Sequence, residues 1–239
     1  MSQQLDYRAL ADALLPAVLA AGRVEMAYYR GTVEVEAKSD SSPVTAADRE
    51  AELILIAALG NAAPGVPVVA EESAAAGNIP KVFDRFFLVD PLDGTREFVK
   101  KRDEFTVNVG LIENGVSVFG VVYAPAIGEL YATLAPDRAV FARVAPDAAV
   151  TSFSDLPLVT LGTRVPDPKA LVALESRSHR SPATEEFLAR YPISEVKASG
   201  SSLKFCLIAR GEADLYPRIG ETSEWDTAAA HAVLSAAGG

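Results

Sequence analysis

Two short apolar runs that each end in acidic residues constrain the fold of this chain more than any other feature. The run Val66–Ala70 leads directly into Glu71 and Glu72, and the run Phe86–Asp90 ends in a carboxylate. Apolar runs of this length are typical of buried strands. If the two strands are neighbours in a sheet, Glu71 lies near Asp90, whereas the alternative is that the adjacent glutamates belong to a solvated loop. The pattern predicts a sheet with an acidic site at one edge.

The second run continues into the sequence Asp-Pro-Leu-Asp-Gly-Thr. Asp90 and Asp93 stand three residues apart in a turn and can converge on one point, where the carbonyl of Leu92 adds a third oxygen. Oxygen ligands without nitrogen or sulfur select magnesium or manganese. Gly94 and Thr95 present backbone N–H groups at a possible helix start, which suits a phosphate. The alternative interpretation is an ordinary turn with a helix cap.

Two further acids stand at the start of predicted helices. Asp226 follows Trp225 and opens the last helix, where an N-cap is the ordinary role of an aspartate. Thr45 and Asp48 have the spacing of a capping box. Each carboxylate is therefore a candidate for a cap and for the acidic site, and the spacing leaves both roles open.

Periodicity along the chain predicts a mixed α/β protein. The predicted helices are Leu5–Tyr29, Thr45–Leu59, Thr184–Arg190, Ser202–Arg210 and Asp226–Ala237. The predicted strands are Val66–Ala70, Phe86–Asp90, Phe105–Leu111, Val116–Ala124, Glu129–Leu134, a strand within Val150–Leu161, Leu171–Ser176 and Ala213–Pro217, with a hairpin turn at Asn114-Gly115. A stretch rich in proline and aspartate, residues 136–168, predicts a boundary between an N-terminal α+β lobe, 1–140, and a C-terminal α/β lobe, 141–239.

Charge and residue counts exclude several classes of function. The chain has 32 acidic and 22 basic side chains, and it shows no basic face for nucleic acid. Cys206 is the one cysteine and His179 and His231 are the two histidines, which excludes a disulfide framework, a cysteine-based zinc site and a histidine-rich metal site. Without a transmembrane segment or a signal peptide in the pattern, we expect a cytoplasmic protein. Peripheral attachment to the inner membrane, and a monomeric or homodimeric state, stay open.

Taken together, the acidic segments resemble those of the inositol monophosphatase superfamily of magnesium-dependent, lithium-sensitive phosphatases. The matching segments are Glu71-Glu72-Ser73, Asp90–Thr95 and Trp225–Ala229, and they follow the family order along nearly the whole chain. The resemblance implies the layered αβαβα sandwich of the inositol monophosphatase and fructose-1,6-bisphosphatase type. It also implies two or three Mg²⁺ ions, with Mn²⁺ as an alternative, held by Glu71, Asp90, the Leu92 carbonyl, Asp93 and Asp226.

The resemblance also implies how the reaction proceeds. Thr95 and Asp48 match the pair that orients and deprotonates the attacking water, Glu71 joins them as a catalytic group, and Glu72 supports the site. Metal ions lower the pKa of a bound water and neutralise the departing alkoxide. Until ions neutralise them, the clustered carboxylates repel phosphate, so the acidic composition makes metal a precondition for an anionic substrate. For Asp48, the capping box remains an equal explanation.

Other segments resemble the bacterial 3′(2′),5′-bisphosphate nucleotidases within this superfamily. They are Arg96-Glu97-Phe98, Phe105–Asn108, Ser176–His179, Gly200–Cys206 and Leu215–Arg218. A substrate with two phosphates needs cations beyond the metal site, and Lys204 and Arg218 are the candidates. The other implied substrate contacts are Ser201, Ser202, His179, Asp93, Gly94, Thr95 and Asp226. The alternatives are that Lys204 extends from its helix to solvent, that His179 lies in a surface loop and that Arg218 pairs with Glu221.

The first hypothesis is therefore a Mg²⁺-dependent phosphatase that removes the 3′-phosphate of adenosine 3′,5′-bisphosphate, with 3′-phosphoadenylyl sulfate as a further substrate. The alternatives are an inositol or sugar monophosphatase, and a metal- or nucleotide-binding protein without turnover. Ala230 stands where relatives commonly have glycine. Relatives are also expected to continue beyond Gly239 with a strand and a closing segment, so the chain is expected to be short at that end.

Overall fold

The computed structural model describes residues 5–31, 36–37, 43–178 and 181–239 of the chain. Up to residue 143 the elements are α1 (Tyr7–Arg30), β1 (Glu36–Ala37), β2 (Pro43–Val44), α2 (Ala46–Ala62), β3 (Val68–Ala70), α3 (Glu71–Ala75), β4 (Arg85–Asp93), α4 (Thr95–Val99), β5 (Thr106–Glu113), β6 (Val116–Ala124), β7 (Glu129–Ala135) and β8 (Arg138–Arg143). They continue with a 3₁₀ turn (Phe153–Asp155), β9 (Val159–Thr160), β10 (Leu171–Ser176), α5 (Pro182–Leu188), β11 (Ile193–Ser199), α6 (Leu203–Ala209) and α7 (Glu224–Ala236).

A seven-stranded sheet in the order β3-β4-β5-β6-β7-β8-β9 forms the centre of the molecule. Strands β3 and β4 are parallel, and the remaining neighbours are antiparallel. Ala70 pairs with Val89, so the residues that follow them, Glu71 and Asp90, lie together where the pairing of β3 with β4 ends. The prediction that the two strands ending in acids are neighbours is confirmed.

Helices cover both faces of this sheet. Consecutive residues of β6 alternate between the two sides: Val121 packs with α1 and α2, whereas Val122 packs with α6 and α7. A smaller sheet of the parallel strands β10 and β11 packs against α6 through Val172 and Ile208, and α5 is the crossover between its strands. The layered α/β sandwich that the resemblance implies is confirmed.

Helix α7 lies close against β5 and β6 because each strand carries a glycine beneath it. A Cβ atom at Gly120 would lie 2.0 Å from the carbonyl oxygen of Ala229, and one at Gly110 would lie 2.8 Å from the Ala229 nitrogen. Any larger residue at either position would push the helix away from the sheet. The two glycines therefore set the depth of α7, which carries Asp226 in its first turn.

The structure differs from the sequence prediction mainly after residue 136. Strands β8 and β11 were not predicted, because one lies in a proline-rich stretch and the other has the mixed polar sequence Ile-Ser-Glu-Val-Lys-Ala-Ser. The strand expected within Val150–Leu161 is the 3₁₀ turn followed by the two-residue β9. The strand expected at Ala213–Pro217 is a single bridge between Leu215 and Ala173.

The large sheet continues across residue 140 through β8 and β9, and α7 returns to it from the C-terminal part of the chain. The division into lobes 1–140 and 141–239 stays a prediction. Among the described helices, none combines the length and the apolar character that a membrane crossing requires.

Candidate active site

The acidic segment Asp90–Asp93 forms the irregular end of β4, and a helix starts directly after it, as the sequence suggests. Asp90 is buried, and its Oδ1 accepts a hydrogen bond from the Leu92 N–H at 3.0 Å. Gly94 has a φ of 94° and lies so close to the Glu104 carbonyl that a Cβ atom would be 3.0 Å from it. Only glycine adopts this conformation readily, and α4 begins at the next residue, Thr95.

Four carboxylates influence one another at this edge of the sheet: Glu71, Asp90, Asp93 and Asp226. Burial raises the pKa of Asp90 well above its usual range, and the charges of the other three carboxylates raise it further. Burial and the charge of Asp226 raise the pKa of Asp93 to about 8, although the ammonium of Lys204 opposes the change. Burial and mutual repulsion therefore keep protons on these carboxylates up to a higher pH than on ordinary aspartates.

The donor set suits a hard divalent cation. All the donors are oxygens, and Oδ2 of Asp93 is buried and has no hydrogen-bond partner among the described residues. In the described part of the chain, no three acidic, histidine or cysteine side chains are grouped closely enough to hold one ion.

Asp48 and Thr95 lie next to each other, although 47 residues separate them in sequence. The Thr95 hydroxyl lies 3.4 Å from Oδ1 of Asp48 and 3.2 Å from the Leu92 carbonyl oxygen. Oδ2 of Asp48 accepts the Thr45 N–H at 2.8 Å and the Thr45 hydroxyl at 2.6 Å. The capping box and the predicted pair with Thr95 are therefore both present, on different oxygens of one buried carboxylate.

Asp226 likewise combines a cap with a place in the cluster. Its Oδ2 accepts the Ser223 N–H at 3.0 Å and the Thr222 hydroxyl at 2.8 Å. Both bonds end on one oxygen, so the cap of α7 leaves the second oxygen of the carboxylate to the site. The ordinary and the functional interpretation of this aspartate are compatible.

Three cationic side chains, Arg96, Lys204 and Arg218, line the same cavity as the carboxylates. Lys204 is buried, stacks over the ring of Tyr216, and donates hydrogen bonds to the carbonyl oxygens of Ser199 and Ser201. Burial lowers its pKa, and the nearby acids Asp93 and Glu97 counteract the change. Lys204 therefore does not extend to solvent.

Arg218 contacts Glu221 through the backbone rather than through an ion pair. Its Nη2 donates to the Glu221 carbonyl oxygen at 2.6 Å. Its buried Nε has no hydrogen-bond partner among the described residues.

The two serines that the sequence predicts as substrate contacts, Ser201 and Ser202, have different surroundings. Ser201 has a left-handed backbone, with φ at 47°, and lines the cavity. The Ser202 hydroxyl donates to Oδ1 of Asn108 at 2.7 Å, and its backbone N–H lies near Asp93 and lowers the pKa of that carboxyl. His179 lies outside the described residues.

The cavity has a volume of about 350 Å³ and joins the predicted residues from both parts of the chain. Those of its lining residues that the sequence predicted are Glu71, Asp90, Leu92, Asp93, Gly94, Thr95, Ser201, Ser202, Lys204, Arg218 and Asp226. The sequence did not single out Tyr216 or Ser176 as separate contacts, nor Glu97, a buried acid that accepts a hydrogen bond from Ser178.

Two buried glutamates near the site, Glu25 and Glu52, were not predicted from the sequence. Glu25 on α1 is fully buried, and neither of its carboxylate oxygens has a hydrogen-bond partner among the described residues. Burial raises its pKa well above the usual range, and the charge of Asp48 adds to the effect. Glu52 on α2 accepts hydrogen bonds from the start of α3. A position four residues after Asp48 was the available signal for Glu52, whereas the apolar pattern of α1 gave none for Glu25.

Comparison with known proteins gives a consistent result at the levels of family and sequence. The family model of the inositol monophosphatase family matches residues 6–239. The 3′(2′),5′-bisphosphate nucleotidase CysQ of Escherichia coli K12 is 40% identical over 220 residues, which are 91% of this chain and 84% of that protein. CysQ of Salmonella typhimurium is 41% identical over the same shares of both chains.

Solved structures agree with this assignment. CysQ from Bacteroides thetaiotaomicron, described as a bacterial member of the inositol monophosphatase family, has a TM-score of 0.77 and 36% identity, covering 98% of this chain and 89% of that one. The IMPase of Thermotoga maritima has a TM-score of 0.73 and 24% identity, covering 94% of this chain and 81% of that one. At 24% identity, the similarity to the Thermotoga maritima protein shows a shared fold only.

Proposed function

The chain belongs to the inositol monophosphatase family of phosphatases, and from this premise we propose that it hydrolyses the 3′-phosphate of adenosine 3′,5′-bisphosphate. The observation that carries the proposal is a single cavity that contains both the acidic cluster and cationic side chains, among them Lys204 and Arg218. One phosphate of the substrate would bind at the acidic cluster, with metal, and the other at the cations. The likeness to the CysQ nucleotidases supports the same substrate.

Proteins of this family are metal-dependent phosphatases and generally use Mg²⁺. In this chain the residues that would hold the ions are Glu71, Asp90, the Leu92 carbonyl, Asp93 and Asp226. When bound, Mg²⁺ lowers the pKa of a water molecule and stabilises the negative charge that develops on the departing oxygen. Two ions would neutralise the four carboxylates, and a third would make the site positive for phosphate.

The Asp48–Thr95 pair would position and deprotonate the attacking water. The one hydrogen of the Thr95 hydroxyl has two acceptors within reach, Oδ1 of Asp48 and the Leu92 carbonyl oxygen. When it points to Asp48, the threonine oxygen can in turn accept a hydrogen bond from the water. Asp48 is held by two hydrogen bonds from Thr45, which fixes the orientation of the carboxylate before substrate binds. Burial of Asp48 excludes bulk water from competing for this oxygen.

Lys204 and Arg218 would bind the 5′-phosphate. Lys204 contributes a point charge whose position is fixed by two backbone carbonyls and the Tyr216 ring. Arg218 contributes the Nε donor that has no partner among the described residues. A substrate with one phosphate would use the acidic cluster and leave these two side chains without a phosphate to bind, so the site would favour a bisphosphate.

A phosphate-release assay with purified protein tests the proposed reaction. With Mg²⁺, we expect faster release from adenosine 3′,5′-bisphosphate than from inositol 1-phosphate, and loss of release in both cases when EDTA removes the metal. Measurement on 3′-phosphoadenylyl sulfate in parallel shows whether it is a second substrate. Much faster release from inositol 1-phosphate would instead assign the chain to the monophosphatases, and metal binding without any release would indicate a binding protein.

Replacing Arg218 with glutamine tests the second phosphate site. A charge-assisted hydrogen bond contributes about 1.5 to 3 kcal/mol, so we expect KM for the bisphosphate to rise about 10- to 100-fold. KM for inositol 1-phosphate, if it is turned over, should stay near the wild-type value because this substrate has no second phosphate. Arg138→Gln, an exposed arginine on β8, is the matched control. An equal rise in KM for both substrates would contradict the assignment.

A further inference from the structure

The first turn of α3, which begins at Glu71, receives its cap from another helix. The N-cap residue Ala70 has no side chain that could accept a hydrogen bond. Instead, the N–H groups of Glu72 and Ser73 donate to Oε2 and Oε1 of Glu52, at 2.7 Å and 2.9 Å, and the Ser73 hydroxyl donates to Oε1 at 2.5 Å. The Glu52 side chain is almost completely buried.

These hydrogen bonds matter because α3 has only five residues. The N–H groups of a first helical turn have no partner within the helix, and so short a helix does not hold itself together. A carboxylate that accepts three hydrogen bonds is a stronger cap than a neutral acceptor. Glu52 therefore fixes the backbone immediately after Glu71, at the point where β3 delivers it beside Asp90.

Glu52 also connects two parts of the site. It follows Asp48 by four residues on α2, so the two side chains lie on the same face of the helix. Asp48 reaches Thr95, whereas Glu52 reaches the backbone beside Glu71. One helix thus determines the separation between the pair that activates water and the carboxylate at the end of β3.

We propose that Glu52 is a positioning residue for the metal site: it holds Glu71 in the orientation that binds the divalent ion and keeps it in register with Asp48. This inference rests on the proposed metal role of Glu71. The alternative is that Glu52 only stabilises the fold. The two roles predict different effects of substitution. Loss of a residue that only stabilises the fold lowers the melting temperature, whereas loss of a positioning residue weakens metal binding by the folded protein.

Binding of Mn²⁺ to the metal-free protein, measured by calorimetry, tests the proposal. Loss of a residue that orients a ligand typically weakens metal binding about 10- to 100-fold, and we expect this range for Glu52→Ala. Glu52→Gln should fall between this variant and wild type, because its amide keeps one acceptor oxygen but turns an NH₂ group toward the N–H donors. At saturating Mg²⁺, kcat should largely recover in both variants.

The matched control is Leu53→Ala, which changes the neighbouring residue on α2, a side chain that is 69% exposed. Its metal affinity should equal that of wild type. A folded Glu52→Gln protein whose affinity lies within about twofold of wild type overturns the proposal, and this variant decides the question if Glu52→Ala does not fold. Wild-type protein that binds Mn²⁺ but does not hydrolyse the bisphosphate overturns the proposed function and leaves the positioning role standing.

Discussion

Replacing Asp93 with asparagine is expected to lower kcat/KM for the bisphosphate by about 10³-fold or more. Asp93 lies in the centre of the cluster, where its charge acts on Asp90 and where Asp226 and Lys204 act on it. The buried Oδ2, which has no hydrogen-bond partner among the described residues, is the atom best placed to bind an ion. Asparagine keeps the shape of the side chain but removes its charge, so the effect reports on metal binding.

Asp137→Asn is the matched control, because this aspartate is exposed in the turn between β7 and β8. The two proteins are compared in the phosphate-release assay over a range of Mg²⁺ concentrations. Turnover of Asp93→Asn at the wild-type level would refute a metal role for this carboxylate. If the turnover of Asp93→Asn recovers only at high Mg²⁺ concentration, the Asp93 charge contributes to affinity for the ion, and the chemical step proceeds without that charge.

The second large effect concerns stability and pH in the absence of metal. The pKa of Asp93 is about 8 in the folded protein, whereas the ordinary value of an aspartate is 3.8. Between these two values the folded state binds the proton more tightly than the unfolded state, so raising the pH destabilises the fold. For Asp93 we expect a fall of about 4 to 6 kcal/mol in the free energy of unfolding from pH 4 to above pH 8.

Urea unfolding of the metal-free protein across this pH range measures the effect. Asp93→Asn should show a shallower decline, while part of the decline remains because the pKa values of Asp90 and Glu25 are also raised. Mg²⁺ added at pH 8 should restore much of the stability of wild type, because an ion that binds only the folded state stabilises it. Identical pH profiles for wild type and Asp93→Asn would contradict the raised pKa. Asp137→Asn should retain the wild-type profile.

The sequence predicts those parts of the fold in which local patterns and burial agree. Strand β6 was predicted with its correct limits, and the Asn114-Gly115 turn before it has the two positive φ angles that a tight hairpin needs. Strand β11 was missed because its alternating polar residues resemble a loop, and it is stabilised by pairing with β10. Pairing between distant segments leaves no local pattern, so this strand could not be found from its own residues.

The residues of the site also divide into those that a local sequence pattern predicts and those that it does not. The positions of Asp90, Asp93 and Glu71 could be argued from strands that end in acids, since a parallel pair brings its ends together. For Glu52 the only signal was its position four residues after Asp48, which places it on the same face of α2 but does not distinguish a buried cap from a solvated side chain. Glu25 interrupts the apolar side of α1. Nothing in its neighbourhood indicated a fully buried carboxylate.

The two glycines beneath α7 limit which substitutions the protein can accept. Gly110 and Gly120 do not line the cavity, yet a side chain at either would displace the helix that carries Asp226. In a screen of random substitutions scored by activity, both positions should therefore rank beside the carboxylates, although neither takes part in the reaction. During evolution, exposed residues away from the site can change independently of one another. A substitution at either of these two glycines requires a compensating change in α7, which packs on them.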